Sequence, residues 1–183
     1  MFDKILIANR GEIACRVIKT ARQMGIPTVA VYSEADAGAL HVDLADESVP
    51  IGAPPAQESY LNAERIIAAC RETGADAVHP GYGFLSENPA FAKALDQAGI
   101  RFIGPRPDAI TAMGDKITSK KIAEEAGVNV IPGHPEAIAD AEEAVRVAAE
   151  VGYPVMLKAS AGGGGKGMRI ARNDGECREG FER

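Results

Sequence analysis

The stretch KILIANRGEIACRVIKTARQMGIPTVAVY, residues 4–32, decides the fold class of this chain. Its first residues, 4–8, form a short apolar run rich in β-favouring residues, which is typical of a buried parallel strand. Apolar residues then recur at helical spacing until Gly25, a residue type that commonly ends helices. Residues 28–32 are a second apolar run. The stretch therefore predicts a strand, a helix and a strand in succession, which is the repeating unit of a parallel sheet.

Further strands and helices are expected at short spacing up to residue 105. They are a short strand within Asp46–Ile51, a helix over Tyr60–Glu72 with Leu61, Ile66, Ile67 and Cys70 inward, a strand over Ala75–His79, a helix over Asn88–Gln97 and a strand over Ile100–Pro105. This alternation predicts an α/β fold, a doubly wound, Rossmann-like domain with a parallel sheet. We place this domain at residues 1–113.

The pattern changes after Pro105, and residues 114–183 are expected to form a second domain. A helical stretch over Asp108–Gly127 is expected to break at Gly114-Asp115, because glycine interrupts helices and aspartate caps them. Further helices are expected over Asp140–Val151 and from Asn173 onward, with a two-stranded hairpin between them. This region looks incomplete, because no sheet large enough to bury the hairpin is predicted.

The hairpin contains the most unusual segment of the chain, KASAGGGGKGM, residues 158–168. Glycines let backbone amides approach a ligand rich in acceptor oxygens, and Lys158 and Lys166 supply positive charge that suits phosphate. Residues 151–173 carry no acid, although the net charge of the chain is −6, and this local positive charge also favours an anion. The segment predicts a loop that covers nucleotide phosphates, like the glycine flaps that close over ATP.

Other interpretations of the glycine segment are weaker. A Walker A loop is ruled out, because Ser160 stands where its first glycine is required and Gly167 where serine or threonine is required. A dinucleotide-binding fold requires a helix after the glycines, whereas residues 168–172 alternate like a strand. A flexible linker seldom has apolar strands on both sides.

The composition argues against several classes of protein. With 46% hydrophobic residues the chain can bury a core, and its acidic balance argues against nucleic acid as the main partner. No apolar run approaches membrane-spanning length, and the first residues predict a strand, not a signal peptide. Cys15, Cys70 and Cys177 are scattered, which is typical of reduced cytoplasmic thiols, and the three histidines have no metal-ligand spacing. We expect a cytoplasmic protein with no membrane partner and no metal site within these residues.

The loop HPGYGFLSENP, residues 79–89, follows the fourth predicted strand at the sheet edge where α/β folds bind ligands. Two interpretations are equally weighted. In the structural one, Tyr82 and Phe84 pack a tight turn, and Ser86 caps the next helix with Glu87 in its first turn. In the functional one, the glycines around Tyr82 allow close approach of a ligand.

A second motif, Asn9-Arg10-Gly11-Glu12, lies at the carboxyl end of the first strand and opens a helix. A helix N-terminus can bind an anion. The motif has a single glycine, however, and Glu12 would repel an anion. We favour a structural or interface role for it.

Four motifs in order along the chain together resemble the N-terminal part of biotin carboxylases. They are Lys4–Ala14, His79–Asn88, Met113-Gly114-Asp115-Lys116 and Lys158–Met168. Within the last motif, Ala161 and Lys166 look most like the α subunits of propionyl-CoA and related acyl-CoA carboxylases. The resemblance covers essentially all of the chain.

The resemblance implies a pre-ATP-grasp domain followed by the incomplete start of an ATP-grasp domain. It implies an enzyme that activates bicarbonate with MgATP and then carboxylates biotin on a carrier. The ATP-binding residues that it implies are Lys116, Lys158, Gly163, Gly164, Gly165, Lys166 and Met168, and the residues that it places on a loop facing biotin and bicarbonate are Tyr82, Gly83 and Glu87. The magnesium ligands and catalytic groups of the family are expected beyond Arg183. We therefore assign no catalytic residue and expect the 183-residue chain alone to be inactive.

The implied partners are ATP, bicarbonate, a biotin carrier domain and a carboxyltransferase subunit. Some members of the family form homodimers through a face of the first helix. Lys19 and Gln23 occupy that face here, and their side chains differ from those of the dimerising members. Two alternatives stay open: another ATP-grasp ligase, such as carbamoyl-phosphate synthase, and a non-catalytic α/β module for nucleotide binding or dimerisation. The run over residues 79–88 favours biotin carboxylase.

Overall fold

The computed structural model describes residues 1–131, 134, 136–158 and 167–182, with Lys116 described by its backbone alone. The chain forms two compact units, Met1–Ala112 and Met113–Arg183. Within those described ranges, no helix has both the length and the apolar character that crossing a bilayer requires.

The first unit contains a five-stranded parallel sheet with the strand order β3-β2-β1-β4-β5. The strands are β1 (Ile5–Ile7), β2 (Thr28–Ser33), β3 (Glu47–Gly52), β4 (Ala77–His79) and β5 (Arg101–Phe102). The central strand β1 pairs with β2 on one side and with β4 on the other, so that Ile5 lies beside Thr28 and Ala77. This sheet confirms the predicted doubly wound α/β fold.

Helices cover both faces of the sheet, and the central strands are accordingly apolar along their whole length. These helices are α1 (Gly11–Gln23), α2 (Leu40–Leu44), α3 (Ala63–Thr73) and α4 (Pro89–Gln97), and a further helix, α5 (Pro107–Gly114), follows β5. On one face, Leu6 and Ala8 pack with residues of α3 and α4. On the other face, Ile5 and Ile7 pack with residues of α1. The short helix α2 was not predicted.

Helix α3 begins three residues later than predicted, at Ala63. The side-chain oxygen of Asn62 accepts a hydrogen bond from the backbone N–H of Arg65 at 3.1 Å, and this cap fixes the start of the helix. Leu61 therefore precedes the helix and is exposed. Its predicted inward position was wrong.

Helix α4 begins after Asn88, whose side-chain oxygen accepts a hydrogen bond from the backbone N–H of Phe91 at 3.0 Å. Pro89 takes the first helical position, where its fixed φ and missing N–H are tolerated best. The interpretation in which Ser86 caps this helix, with Glu87 in its first turn, was therefore wrong. Both residues belong to the preceding loop.

The second unit contains three helices and a two-stranded antiparallel sheet among its described residues. They are α6 (Lys116–Glu125), α7 (Ala141–Val151), β6 (Val155–Lys158), β7 (Met168–Ala171) and α8 (Asp174–Glu182). The predicted helix break is present, because α5 ends at Gly114 and α6 begins after Asp115. The Asp115 carboxylate caps α6 by accepting a hydrogen bond from the Thr118 N–H at 2.7 Å.

Strands β6 and β7 form the predicted pair. On one face, Val155 and Leu157 pack against buried residues of α7 and α8. Two helices thus bury one face of the hairpin, and the sequence did not predict this packing. On the other face, Met156, Met168 and Ile170 are exposed.

Candidate functional site

The candidate site begins where β1 and β4 end side by side, since Ile7 and His79 are neighbours in register. After β1 the chain goes to β2 on one side of the sheet, and after β4 it goes to β5 on the other side. The two connections therefore run in opposite directions. Divergence of this kind opens the crevice in which α/β sheets bind ligands. The motif at residues 9–12 and the loop at residues 80–88 both lie at this edge.

The side chain of Asn9 joins the two strand ends. It is buried, with 4% of its surface exposed. Its Nδ2 donates hydrogen bonds to the backbone oxygens of Pro80 at 2.7 Å and Tyr82 at 2.8 Å. Its Oδ1 accepts a hydrogen bond from the backbone N–H of Arg10 at 2.9 Å. Both N–H donors of this amide therefore hold the loop.

The loop backbone has three residues with positive φ: Gly81 at +64°, Gly83 at +69° and Phe84 at +39°. Glycine adopts such angles readily, whereas Phe84 bears a conformational cost that its surroundings must offset. The space at Gly81 is also occupied, because an added Cβ would lie 2.7 Å from Nδ2 of Asn9. Gly81 is thus required both by its backbone angle and by the approach of Asn9.

The other end of the loop rests on a buried tyrosine. The Phe84 ring stacks on that of Tyr60, with ring centroids 5.0 Å apart and planes 10° apart. The Tyr60 hydroxyl donates a hydrogen bond to Asp36 at 2.6 Å and accepts one from the Ser33 N–H at 3.0 Å. Arg10 lies over the Tyr60 ring at 5.6 Å and pairs with Asp36 at 3.2 Å. The stacking and the polar contacts fix the ring on which Phe84 rests.

These contacts change the ionisation of two groups. Burial would raise the pKa of Asp36, but hydrogen bonds from Tyr60, Ser33 and Arg10 outweigh it and lower that pKa below its ordinary 3.8. Burial, and then the hydrogen bond to Asp36, raise the pKa of Tyr60 to about 12. At neutral pH the ionised Asp36 carboxylate therefore accepts a hydrogen bond from the neutral Tyr60 hydroxyl.

His79, the last residue of β4, supports the turn that follows it. Its Nδ1 accepts a hydrogen bond from the backbone N–H of Gly81 at 3.0 Å, which requires Nδ1 to be unprotonated. Burial lowers the pKa of His79, in agreement with a neutral ring. The histidine therefore holds the backbone of the loop at neutral pH.

The loop residues that the resemblance singles out, Tyr82, Gly83 and Glu87, are all exposed. Tyr82 has 66% of its surface exposed, although its backbone oxygen is held by Asn9. The oxygen of Gly83 accepts a hydrogen bond from the Ser86 N–H at 2.9 Å, which closes a turn. The structure thus brings these residues together on a loop that buried side chains hold from beneath.

Of the predicted ATP-binding residues, the structure brings two together. Lys158 ends β6 and Met168 begins β7; they are partners in register, and both are exposed. Lys116 is the first residue of α6, and its side chain is not described. The remaining predicted residues, Gly163, Gly164, Gly165 and Lys166, lie outside the described residues.

In the described part of the chain, no three His, Cys, Asp or Glu side chains lie together in a way that could hold a metal ion. Cys15, Cys70 and Cys177 are free thiols. Burial raises the pKa of Cys70 to about 12, so this thiol stays protonated and unreactive.

A groove of about 550 Å³ lies along α1, outside the loop site. Lys19 and Gln23, which the resemblance places on a dimerisation face, both line it. Arg16, Arg22 and Leu44 line it as well, so an apolar floor has charged edges.

Sequence reasoning missed the buried supports of the loop. Asn9 was given a structural or interface role without a partner, and Tyr60 and Asp36 were not singled out. The partners of Asn9 lie 71 and 73 residues away, and no local pattern reports such contacts. One feature of the sequence could have indicated the contact. Asn9 and the turn around Tyr82 each follow a strand that was predicted to be parallel, so both were expected at the same edge of the sheet.

Comparison with known proteins yields matches over both units. A family model described as "Biotin carboxylase, N-terminal domain" matches residues 1–110. A model described as "Carbamoyl-phosphate synthase L chain, ATP binding domain" matches residues 115–183.

Curated relatives match the whole chain but are much longer than it. The propionyl-CoA carboxylase alpha chain of Ruegeria pomeroyi is 68% identical over 182 residues, which is 100% of this chain and 27% of that protein. The mitochondrial propionyl-CoA carboxylase alpha chain of Caenorhabditis elegans is 64% identical over 98% of this chain and 25% of its own length. The biotin carboxylase of Halalkalibacterium halodurans is 58% identical over 99% of this chain and 40% of its own length. The chain thus spans between a quarter and two fifths of these relatives.

Solved structures of biotin carboxylases also match all or nearly all of this chain. The biotin carboxylase domain dimer of the Hydrogenobacter thermophilus 2-oxoglutarate carboxylase, in complex with MgADP, ADP and bicarbonate, matches with a TM-score of 0.90 and 54% identity. This match covers 100% of the present chain and 40% of that chain. The Campylobacter jejuni biotin carboxylase in its β-γ-ATP complex matches with a TM-score of 0.92 and 49% identity, over 98% of this chain and 40% of that chain.

Proposed function

The chain belongs to the biotin carboxylase family, and on this premise we propose that it forms part of an ATP-dependent biotin carboxylase. That enzyme would activate bicarbonate with MgATP and carboxylate biotin on a carrier, within an acyl-CoA carboxylase of the propionyl-CoA type. The 68% identity to a propionyl-CoA carboxylase alpha chain supports this choice of acyl-CoA carboxylase.

The anchored loop at residues 80–88 is the observation that carries the proposal. It exposes Tyr82, Gly83 and Glu87 at the crevice of the sheet, where α/β folds bind substrates. Buried side chains hold its backbone in angles that only glycine adopts readily. A loop that is held in one conformation at this crevice is suited to binding a ligand. We assign to it the side of the site that receives biotin and bicarbonate.

The ATP side is assigned to the second unit. Lys158 is an exposed cation at the end of β6, directly before the glycine segment. Phosphoryl transfer depends mainly on positioning and on neutralising the phosphate charge, which lysines and backbone amides supply. Lys116 and the glycine segment would share this role with Met168. Magnesium, when bound with ATP, would supply further positive charge, but the described residues contain no ligand set for it.

The other partners follow from the same premise. A carrier domain would bring biotin to the loop, and a carboxyltransferase subunit would receive the carboxylated carrier. A homodimer is supported by the dimer described for the Hydrogenobacter thermophilus relative, and the sedimentation mass tests it. We assign its interface to the groove along α1, because Lys19 and Gln23 line it. The free thiols support a reducing compartment, and we propose the cytoplasm, which fractionation of the source cells tests.

Substitution of Lys158 tests the ATP assignment. In the full-length carboxylase, Lys158→Ala should raise the KM for ATP by roughly ten- to a hundredfold, because it removes a charge-assisted hydrogen bond to phosphate. The matched control is Arg172→Ala, which removes an exposed cation near the same hairpin whose charge already pairs with Glu176 at 3.8 Å. We expect the control to leave the KM for ATP within about twofold, because surface ion pairs contribute little. An unchanged KM for a folded Lys158→Ala variant would assign this lysine to the solvated surface.

A second candidate is another ATP-grasp ligase, and the match of residues 115–183 to the ATP-binding domain of carbamoyl-phosphate synthase favours it. The two functions differ in what accepts the activated bicarbonate. ATP cleavage that is stimulated by ammonia and not by biotin would select the second candidate.

A further inference from the structure

We infer that Asn9 is a positioning residue for biotin carboxylation, acting through the loop at residues 80–88. The inference rests on the proposed function. It concerns a buried amide that touches no substrate and lies beneath the exposed loop.

The hydrogen bonds of Asn9 determine which way its amide points. Its Nδ2 faces two backbone oxygens, those of Pro80 and Tyr82, and only an N–H group can satisfy both of them. Its Oδ1 faces the Arg10 N–H. An aspartate would place a negative oxygen against two carbonyl oxygens, and a serine offers one donor on a shorter side chain. A primary amide of this length is therefore specifically suited to the position.

The loop is shaped to receive this amide. Gly81 has no Cβ at the point where one would lie 2.7 Å from Nδ2 of Asn9. Gly83 has a similar positive φ, but nothing lies within 4 Å of the position of its Cβ. The two glycines thus differ in function: Gly83 permits a backbone angle, whereas Gly81 also makes room for Asn9.

The two supports of the loop act at its two ends. Asn9 holds residues 80–82, and Tyr60 holds the ring of Phe84, whose φ of +39° is unusual for a residue with a side chain. Between them, Tyr82 and Gly83 are exposed. If either support is removed, the exposed residues sample other conformations, and the substrate must then restore the bound one at a cost in affinity.

The positioning is tested on the 183-residue chain by hydrogen exchange of the backbone N–H at position 81, which is bonded to His79. Asn9→Ala should speed this exchange by about tenfold or more, because a protected amide exchanges at a rate set by local opening. Gly81→Ala should also speed this exchange, because the added Cβ would push against Nδ2 of Asn9. Gly83→Ala should have a smaller effect, because nothing lies near its Cβ position. The matched control is Asp76→Ala. The Asp76 carboxylate also joins β1 to β4 by two backbone hydrogen bonds, from Asp3 and Lys4, but at the opposite edge of the sheet.

The link to catalysis is tested on the full-length carboxylase with free biotin. Asn9→Ala should raise the KM for biotin by about tenfold, with the KM for ATP unchanged within about twofold. Asp76→Ala should change neither constant, although it also removes two hydrogen bonds that join the neighbouring strands β1 and β4. A merely structural role of Asn9 would give both variants the same kinetics.

The outcomes test the proposed function and the role of Asn9 separately. Full-length protein without biotin-dependent activity would overturn the proposed function, and exchange at position 81 would still decide whether Asn9 holds the loop. Exchange that is equally slow in Asn9→Ala and in the unsubstituted chain would overturn the positioning role. Faster exchange with an unchanged KM for biotin would overturn the inference for catalysis. If Asn9→Ala fails to fold, Asn9→Ser, which keeps one donor, takes its place with the same expected directions.

Discussion

At the residue scale, the loop depends on groups whose partners are distant in sequence. Tyr60 illustrates this: local periodicity assigns it to the start of a helix, whereas its hydroxyl joins Ser33 to Asp36 and its ring supports Phe84. The glycines around Tyr82 could be recognised from the sequence, because glycine signals unusual backbone angles. The identity of the side chain beneath them could not, because contacts over about seventy residues leave no local pattern.

The lowered pKa of Asp36 makes the polar cluster sensitive to acid. A carboxylate whose pKa is lower in the folded chain than its ordinary 3.8 stabilises the fold above that value. This contribution is lost as the pH falls through the folded pKa. The difference in free energy of unfolding between the unsubstituted chain and Asp36→Asn should therefore be largest near neutral pH and shrink below pH 3.8. Urea titrations at several pH values measure it.

Tyr60→Phe is the companion variant, because it removes one of the hydrogen bonds that lower the pKa of Asp36. It should weaken the same pH dependence while leaving the carboxylate in place. A difference between the unsubstituted chain and Asp36→Asn that stays constant from pH 7 to below pH 3.8 would contradict the assigned cause of the shift.

At the element scale, the sequence predicted the kinds of element well and their ends less well. Apolar runs and helical spacing located the strands of the sheet, and Gly114-Asp115 marked the helix break correctly. The start of α3 was placed three residues too early, and one interpretation placed the cap of α4 at Ser86, whereas Asn62 and Asn88 cap these helices. The packing of the hairpin on α7 and α8 was missed, because only the start of α8 was predicted from the sequence.

The two faces of the hairpin should differ in their effect on stability. Leu157 packs in the cluster formed with α7 and α8, whereas Met156 on the adjacent position is 48% exposed. Leu157→Ala should lower the free energy of unfolding of the second unit by about 1–2 kcal/mol, because it removes packing from a half-buried position. Met156→Ala should cost less than about 1 kcal/mol. Hydrogen exchange of the α7 amides reports this unit, and equal costs for the two variants would mean that the hairpin does not pack as described.

At the scale of the whole molecule, the chain combines a five-stranded α/β unit with a second unit in which a hairpin packs on two helices. The alternation of apolar strands and amphipathic helices was sufficient to predict the fold. The resemblance of four ordered motifs was sufficient to predict the family. We expect the 183-residue chain alone to show no turnover, because the groups that would complete the site are not among its assigned residues.

The decisive measurement is the transfer of labelled bicarbonate to free biotin by the purified full-length protein, with release of phosphate from ATP followed in the same reaction. We predict that label appears on biotin only when ATP and bicarbonate are both present, and that phosphate release rises with the concentration of biotin. Label transfer should be lost when ATP is omitted. Phosphate release that is indifferent to biotin, with no label on biotin at any concentration, would contradict the assignment of this chain to a biotin carboxylase reaction.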